Sequence, residues 1–553
     1  MEKYTIGIDF GTLSGRCLLV DVASGKEVAA SVYEYPHGVI EGSLPYGRKL
    51  PIDWYLQHPK DYLEVLENTV EKTLDEAGVK PEQVIGIGVD FTACTMLPIT
   101  EDGTPLCMLE KYRSDPNAYV KLWKHHSAQP QADRLTRVAQ ERKENFIKRY
   151  GGKISSEWML PKILQTLEES PDVYRDTYTF LEAGDWIVLQ LTGKLMRNSC
   201  AAGAKCLWHK KSGFPSKEYF KAVHPELENV VEDKLKGPVV SIGTRAGLLT
   251  EAGAALTGLS AGTPVAVAHL DAHGATIGAK VVSEGKMLVM IGTSSCHELM
   301  CREEKEVEGI CGYVEDGIVP GYFGYEAGQS CVGDHFSWFV RNCVPSAYEE
   351  AAKESGCSIY EYLNRKAGAK KAGESGLIAL DWWNGNRSVL ADGELSGLLL
   401  GCTLQTKPED IYRALIEATA FGTRKIVETF AEYGVPVDEI IMAGGIARKN
   451  PFIMQIYADV TGRTIQIAGS EQNAALSSAI WAALAAGSEN GGYDDVNQAA
   501  EKMGKLMDAA YVPDREKKRQ YDILYKEYIA LHDYFGRGTN DVMKRLKRMA
   551  SEI

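Results

Sequence analysis

The sequence predicts an α/β fold whose two halves repeat one architecture around a central cleft. Three observations predict it. A run of strand, turn, strand, turn and strand opens the chain; an apolar strand ending in Gly-Thr returns at Lys286–Ser295; and a further apolar strand, Ile440–Ala443, runs into a glycine pair and a helix. With 553 residues, 44% hydrophobic and 25% charged, the chain has ordinary globular composition and length for two or more domains.

The opening strands read as Tyr4–Gly11, Arg16–Val22 and Glu27–Tyr35, joined by Thr12-Leu13-Ser14-Gly15 and Ser24-Gly25-Lys26, both rich in turn formers. Between Lys60 and Ala77, apolar residues at Tyr62, Leu63, Leu66, Val70 and Leu74 follow the helical period. A buried strand, Val84–Val89, comes next. From about residue 108 to 150 the composition turns basic, with Lys121, Lys124, Arg134, Arg137, Arg142, Lys143, Lys148 and Arg149, and predicts an inserted, partly exposed helical segment. The strand at Lys286–Ser295 continues through Met300 and echoes Ile6–Thr12 of the first half. Near the C-terminus, Tyr521, Leu524, Tyr525, Tyr528 and Leu531 keep helical spacing and predict a packing face, while Lys544–Arg548 reads as a solvated helix end.

Charge and motifs exclude several functions. Lys and Arg number 61 against 75 Asp and Glu, a formal net charge of −14, which excludes a simple basic nucleic-acid binder. The N-terminus lacks a secretory pattern, and no stretch approaches the roughly 20 apolar residues of a membrane span. The 12 cysteines contain no Cys-x-x-Cys pair, so a reducing cytoplasm with thiols as small core residues is expected. No Gly-Lys pair is followed by Ser or Thr, so a Walker A loop is absent. Gly86-x-Gly88 has Phe91 where a dinucleotide fingerprint needs glycine, and Gly328–Gly333 is one residue too long for a nucleophile elbow.

Turns ending in Gly-Thr have a physical use. Glycine lets the backbone approach a phosphate, successive N–H groups form an anion-binding nest, and the threonine hydroxyl adds a donor. Two such turns, one with Asp9 on its strand, point to phosphate more strongly than either alone. The pair Gly444-Gly445 before a helix can admit a flat ring or a phosphate, or can serve only as a tight packing turn.

Taken together, Ile6 to Arg16, the Gly292-Thr293-Ser294 turn, and Gly444-Gly445 with Asn450, Gln455, Ala458 and Asp459 resemble the FGGY family of carbohydrate kinases. That family lies within the superfamily of actin, hexokinase and heat-shock chaperone ATPases. Ile154–Lys162 and Gly397–Gly401 before the helix Pro408–Arg424 add to the resemblance, which spans about residues 4 to 487 in order. It implies two actin-like (ribonuclease H-like) α/β domains: residues 1–280 for sugar, with the insert near 108–150, and residues 281–553 for nucleotide, with a C-terminal helical extension. Val89–Thr95, Leu122–His126, Leu181–Trp186 and Ala201–Lys205 are most similar to members that convert L-ribulose to L-ribulose 5-phosphate in L-arabinose degradation. Kinases of D-ribulose, xylulose or a polyol are the near alternatives, and a conformational ATPase without a sugar substrate is the distant one.

The resemblance implies ATP and Mg²⁺ as cofactors; the acidic balance and the lack of an apolar span speak against a nucleic-acid or membrane partner, and a homodimer is the expectation for an assembly that the sequence itself does not give. Asp271, in Val267–Gly274, is the implied catalytic base; its alternative role is to cap the following helix. Asp9 is the implied Mg²⁺ organiser, through water. Gly11, Thr12, Ser14, Gly15 and Arg16 would face the phosphates from one half and Gly292 and Thr293 from the other, with Gly444, Gly445 and Asn450 at the nucleoside. Trp123, Lys205, Glu326, Asp90, Thr92 and Ala93 are the implied sugar contacts; His269 and His273 flank the base.

Overall fold

The structure, a computed structural model, describes residues 2–552. The first half is built on a sheet of β1 (Tyr4–Phe10), β2 (Ser14–Asp21), β3 (Glu27–Glu34), β4 (Val84–Phe91), β5 (Arg245–Leu248) and β6 (Pro264–Ala266), with the short β7 (His269–Leu270) also pairing to β4. Its order is β5-β6-β4-β1-β2-β3. β1 to β3 form the antiparallel meander that the turn chemistry predicts, and β1 then pairs in parallel with β4.

The second half repeats this plan. Its strands are β8 (Gly285–Ile291), β9 (Ser295–Cys301), β10 (Gly312–Glu315), β11 (Phe323–Gln329), β12 (Val437–Ala443), β13 (Thr464–Ala468) and β14 (Leu506–Tyr511), in the order β10-β11-β9-β8-β12-β13-β14. Here β8, β9 and β11 are the antiparallel meander, and β8 pairs in parallel with β12. The Gly-Thr turns thus occupy equivalent corners of two equivalent sheets.

Helix α1 (Pro59–Ala77) forms where the sequence periodicity places it, starting with a proline in its first turn and ending on Gly78 in the left-handed region; Tyr62, Leu66, Val70 and Leu74 are buried. The helix Asn473–Ala486 belongs to the second half of the chain but lies on the first sheet. Its backbone comes so close that a Cβ would stand 1.9 Å from the Ala475 carbonyl oxygen at Gly7, 2.1 Å from that of Ser478 at Gly88, and 2.5 Å from that of Ala482 at Gly86. Only glycine permits this approach.

The inserted basic segment departs from expectation at one residue. It contains the helix Gln129–Glu141 and a 3₁₀ turn at Asn145–Tyr150, as predicted in kind, but Lys121 is only 1% exposed. Its ammonium donates to Asn117 Oδ1, the Lys162 carbonyl, Gln165 Oε1 and Thr166 Oγ1 at 2.7 to 3.1 Å. Four acceptors replace water, and burial pushes this amine down to about 7. The C-terminal packing face is as expected: in the helix Arg515–Gly536, Tyr521, Tyr525 and Tyr528 are buried, and all three ring faces lie near Phe421. Among the described residues no helix is long and apolar enough to cross a membrane.

Candidate active site

The corner between β1 and β2 is held by main-chain and side-chain bonds. Gly11 N donates to the Ser14 carbonyl at 3.0 Å, Tyr35 Oη to the Gly11 carbonyl at 3.0 Å, and Gln57 Nε2 to the Thr12 carbonyl at 2.7 Å. The Trp123 indole N–H donates to Thr12 Oγ1 at 3.1 Å, and the ring is 39% exposed. A predicted sugar contact and a predicted phosphate contact therefore touch. Ser14 lends its carbonyl to the turn; Gly15 faces away, since a Cβ there would stand 2.6 Å from Val65 Cγ1 on α1. Arg16 places Nε 3.6 Å from Asp9 Oδ2.

The second corner is a tighter turn, in which Gly292 N donates to the Ser294 carbonyl at 2.9 Å. Gly292 and Thr293 are exposed at the end of β8, and their carbonyls receive the N–H groups of Gly333, at 2.9 Å, and Val332, at 2.8 Å. Gly444 adopts φ 102°, and a Cβ on it would meet the Ile291 carbonyl oxygen at 2.4 Å, so the glycine pair sits directly on the end of β8. Nothing lies within 4 Å of a Cβ placed on Gly445 or Gly292. Asn450, which follows the short helix Gly445–Lys449, accepts from Asn364 Nδ2 at 2.7 Å. Gly292, Thr293, Gly444 and Gly445 are thus gathered at one place, and Asn450 lies at the far end of the short helix that starts there.

Asp271 follows β7, whose Leu270 pairs with Phe91 of β4, and so stands at the cleft end of the first sheet. Leu270 occupies the helix-cap position and makes no side-chain cap bond; Asp271 is the first residue inside the four-residue helix, and its carboxylate accepts from Ala272 N at 2.7 Å. Burial, then the neighbouring Asp9 carboxylate, pushes the Asp271 carboxyl up to about 7. Such a group takes a proton readily near neutral pH.

Behind it lies a buried ionic cluster. Lys205 Nζ is 2.7 Å from Glu326 Oε2, and Arg387 binds the other oxygen, Oε1, through Nη2. Burial works against ionised Glu326, but the Lys205 and Arg387 cations overcome it and hold the carboxyl well below the usual range. His273 Nε2 lies 3.5 Å from Glu326 Oε2 and 3.6 Å from Glu298 Oε2; burial pushes this imidazole down to about 4, so it is neutral. Glu298 is fully buried with neither carboxylate oxygen hydrogen-bonded to protein, and its carboxyl is raised by burial and by Glu326.

Asp90 does not line the pocket as expected. It is 0% exposed, paired in register with Asp9 on the neighbouring strand, and it accepts from Ser478 Oγ of the helix Asn473–Ala486. Burial, then Asp9, lifts its carboxyl well above the ordinary value. It lies beside Asp9 on the adjacent strand and is covered by the helix Asn473–Ala486, a packing partner that sequence spacing does not reveal. His269 is likewise interior, with Nε2 3.3 Å from Ser478 Oγ. Thr92 and Ala93 do stand at the end of β4, Thr92 N donating to the Phe10 carbonyl at 3.2 Å and Thr92 Oγ1 meeting Thr95 Oγ1 at 2.9 Å. Arg387 and Glu298 were not expected at the site. The turn-rich run Asn384-Gly385-Asn386 before Arg387 was its one sequence signal, and it marks a loop without saying where the loop goes.

Asp9 and Asp271 offer hard carboxylate oxygens near the first Gly-Thr corner, the donor type that suits a divalent cation retaining most of its waters. Asp9 keeps some exposure, and its carboxyl is raised first by burial and lowered by Arg16, so a second positive charge beside it is electrostatically welcome.

Comparison with known proteins gives the family. The N-terminal domain profile of the FGGY family of carbohydrate kinases matches residues 4–278, and its C-terminal domain profile matches residues 287–486. A ribulokinase of Geobacillus thermodenitrificans is 56% identical over 547 residues, covering 99% of this chain and 97% of that protein. A ribulokinase of Staphylococcus aureus (strain Newman) is 40% identical over 550 residues, covering 100% of both chains. Among solved structures, a ligand-bound xylulose kinase from Lactobacillus acidophilus superposes with a TM-score of 0.79 at 17% identity, covering 97% of this chain and 99% of that one, a likeness of fold. With both domain profiles matched in chain order, and relatives above half identical along nearly the whole length, this chain belongs to the FGGY family of carbohydrate kinases.

Proposed function

We propose that the chain phosphorylates L-ribulose with ATP to give L-ribulose 5-phosphate, the kinase step of L-arabinose degradation. One observation carries the site assignment: Asp271, with a carboxyl raised to about 7, is flanked by Asp9 of the strand that leads into the first Gly-Thr corner and by the Lys205–Glu326 pair. The substrate rests on relatives of 53 to 57% identity whose names are ribulokinase.

In this reading Asp271 accepts the proton of the attacking sugar hydroxyl as that oxygen bonds to the γ-phosphorus of ATP. The bond from that phosphorus to the bridging oxygen breaks, and ADP leaves. Glu326 accepts from other sugar hydroxyls, Lys205 donates, and Trp123 offers a ring face. Thr92 and the Ala93 backbone close the pocket edge. Thr12, Thr293 and the backbone of their turns donate to the phosphates; Gly444 and Gly445 give the nucleoside room beside Asn450. When bound, Mg²⁺ neutralises charge on the phosphates, and Asp9 is the residue that would hold it, through water. Residues 1–280 supply the sugar side and residues 281–553 the nucleotide side. The 12 cysteines, all unpaired, suit the reducing cytoplasm.

The test is ADP release with Mg-ATP across L-ribulose, D-ribulose, D-xylulose, ribitol and glycerol. Turnover highest on L-ribulose is expected. A slow ATPase that no sugar stimulates would sink the kinase reading, and preference for another pentulose would move the substrate.

A further inference from the structure

Arg387 reaches the cluster from an irregular segment that belongs to no strand itself but packs against β9 and β11 of the second sheet. Its guanidinium is used on several sides: Nη2 pairs with Glu326 Oε1, Nε donates to Cys311 Sγ at 3.1 Å, and Nη1 lies 3.7 Å from Cys296 Sγ. The side chain runs over Gly328, where a Cβ would stand 3.2 Å from Nη1 and 3.3 Å from Cδ. Planar guanidinium and two flanking sulfurs leave it little freedom, so the Glu326 carboxylate is aimed as well as charged. Its second oxygen belongs to Lys205.

The segment that carries Arg387 is itself tied down from outside. Asn386 and Asp392 exchange main-chain bonds of 2.9 and 2.8 Å and close a tight loop, and Ser388 Oγ receives Gly328 N at 3.2 Å. Leu390 seats on the end of the helix Arg515–Gly536, where a Cβ on Gly536 would meet its Cδ1 at 2.2 Å. The C-terminal helix Val542–Glu552 then straps the loop: Lys544 pairs with Asp392, and Lys547 donates to the carbonyls of Gly393 and Leu395, both at 3.0 Å. From the other half, Lys153 donates to the Ala391 carbonyl at 3.0 Å. Both lysines in the basic run Lys544–Arg548 are thus committed to the loop.

We propose that Arg387 is a positioning residue that orients Glu326 toward the sugar, and that the C-terminal helix holds the Arg387 loop in register through Lys544 and Lys547. The proposal rests on the assignment of Glu326 to the sugar. It makes a surface helix a determinant of sugar affinity while leaving the nucleotide side untouched.

The test measures KM for L-ribulose and for ATP, together with direct L-ribulose binding by calorimetry, in the full-length parent, Arg387→Met, Arg387→Lys and the double variant K544A/K547A. Losing one charge-assisted bond at a buried carboxylate predicts a rise in L-ribulose KM and Kd of roughly 10- to 100-fold in Arg387→Met. ATP KM stays at the parent value, and Arg387→Lys recovers part of the loss because an ammonium still pairs with Glu326. K544A/K547A raises the same sugar constants by roughly two- to fivefold, the scale of exposed ion pairs. A folded Arg387→Met with parent sugar affinity, or with ATP KM raised equally, overturns the proposal. Should Arg387→Met not fold, K544A/K547A decides, and parent sugar constants in it overturn the strap. A parent enzyme that binds no L-ribulose instead removes the functional reading beneath it.

Discussion

Lys205 from the first half and Glu326 from the second meet at 2.7 Å, Nζ to Oε2, both side chains about 7% exposed. This is a buried ion pair between the two halves of the chain, at the site proposed for the sugar. A buried pair returns little net stability, because each charge gives up its water, but removing one partner strands the other. Glu326 keeps Arg387 when Lys205 is lost, so the penalty falls at the lower end of the usual range. Lys205→Met should destabilise by about 3 kcal/mol in urea unfolding. A change near zero would mean that water already reaches the pair.

Asp271→Asn should lower kcat by roughly 10² to 10⁴ if the residue is the base. The pH dependence has a definite sign. The base works ionised, so kcat/KM should rise with pH and level off above the carboxyl's value of about 7. Stability moves the other way: with the folded value raised above the unfolded one, the native state binds the extra proton, and stability is lost as pH climbs from about 4 to about 7. Asp271→Asn should therefore be more stable than the parent at pH 8 and lose that advantage toward pH 4, followed by thermal melting. Parent rates in a folded variant would leave Asp271 as a structural residue only.

Gly88→Ala should damage the fold from inside. The new methyl would stand 2.1 Å from the Ser478 carbonyl oxygen, so a backbone rather than a flexible side chain must move. Overpacking of this kind costs about 1–3 kcal/mol, occasionally more. Since Ser478 also donates to Asp90 beside Asp9, activity should fall further than stability alone explains. Circular dichroism melts compared with kcat would show this; an unchanged melting temperature would mean the helix shifts freely.

Closure of the two halves is expected on binding both substrates, because a γ-phosphate open to water would be hydrolysed. Small-angle scattering should give a smaller radius of gyration with L-ribulose plus a non-hydrolysable ATP analogue than with either alone. Equal radii would mean that the cleft is already closed.

What could be read in the sequence was local. The meander strands, the Gly-Thr corners, the helical period of α1 and the order of the motifs all depend on neighbours within a few residues, where turn chemistry and hydrophobic spacing act directly. The repeat of one corner in each half was enough to predict two sheets and a cleft. What tertiary structure decided was which polar groups are inside and whom they meet. Asp90 looked like a pocket residue until Ser478, 388 positions away, covered it. Lys121 looked like part of a solvated basic stretch until four acceptors from two segments enclosed it. Arg387 carried no signal beyond a loop, yet it joins Glu326, 61 residues away, through a segment that the far C-terminus holds in place. A charge is stable in the interior only with partners, and partners distant in sequence are chosen by the packing of whole elements, which no local pattern encodes.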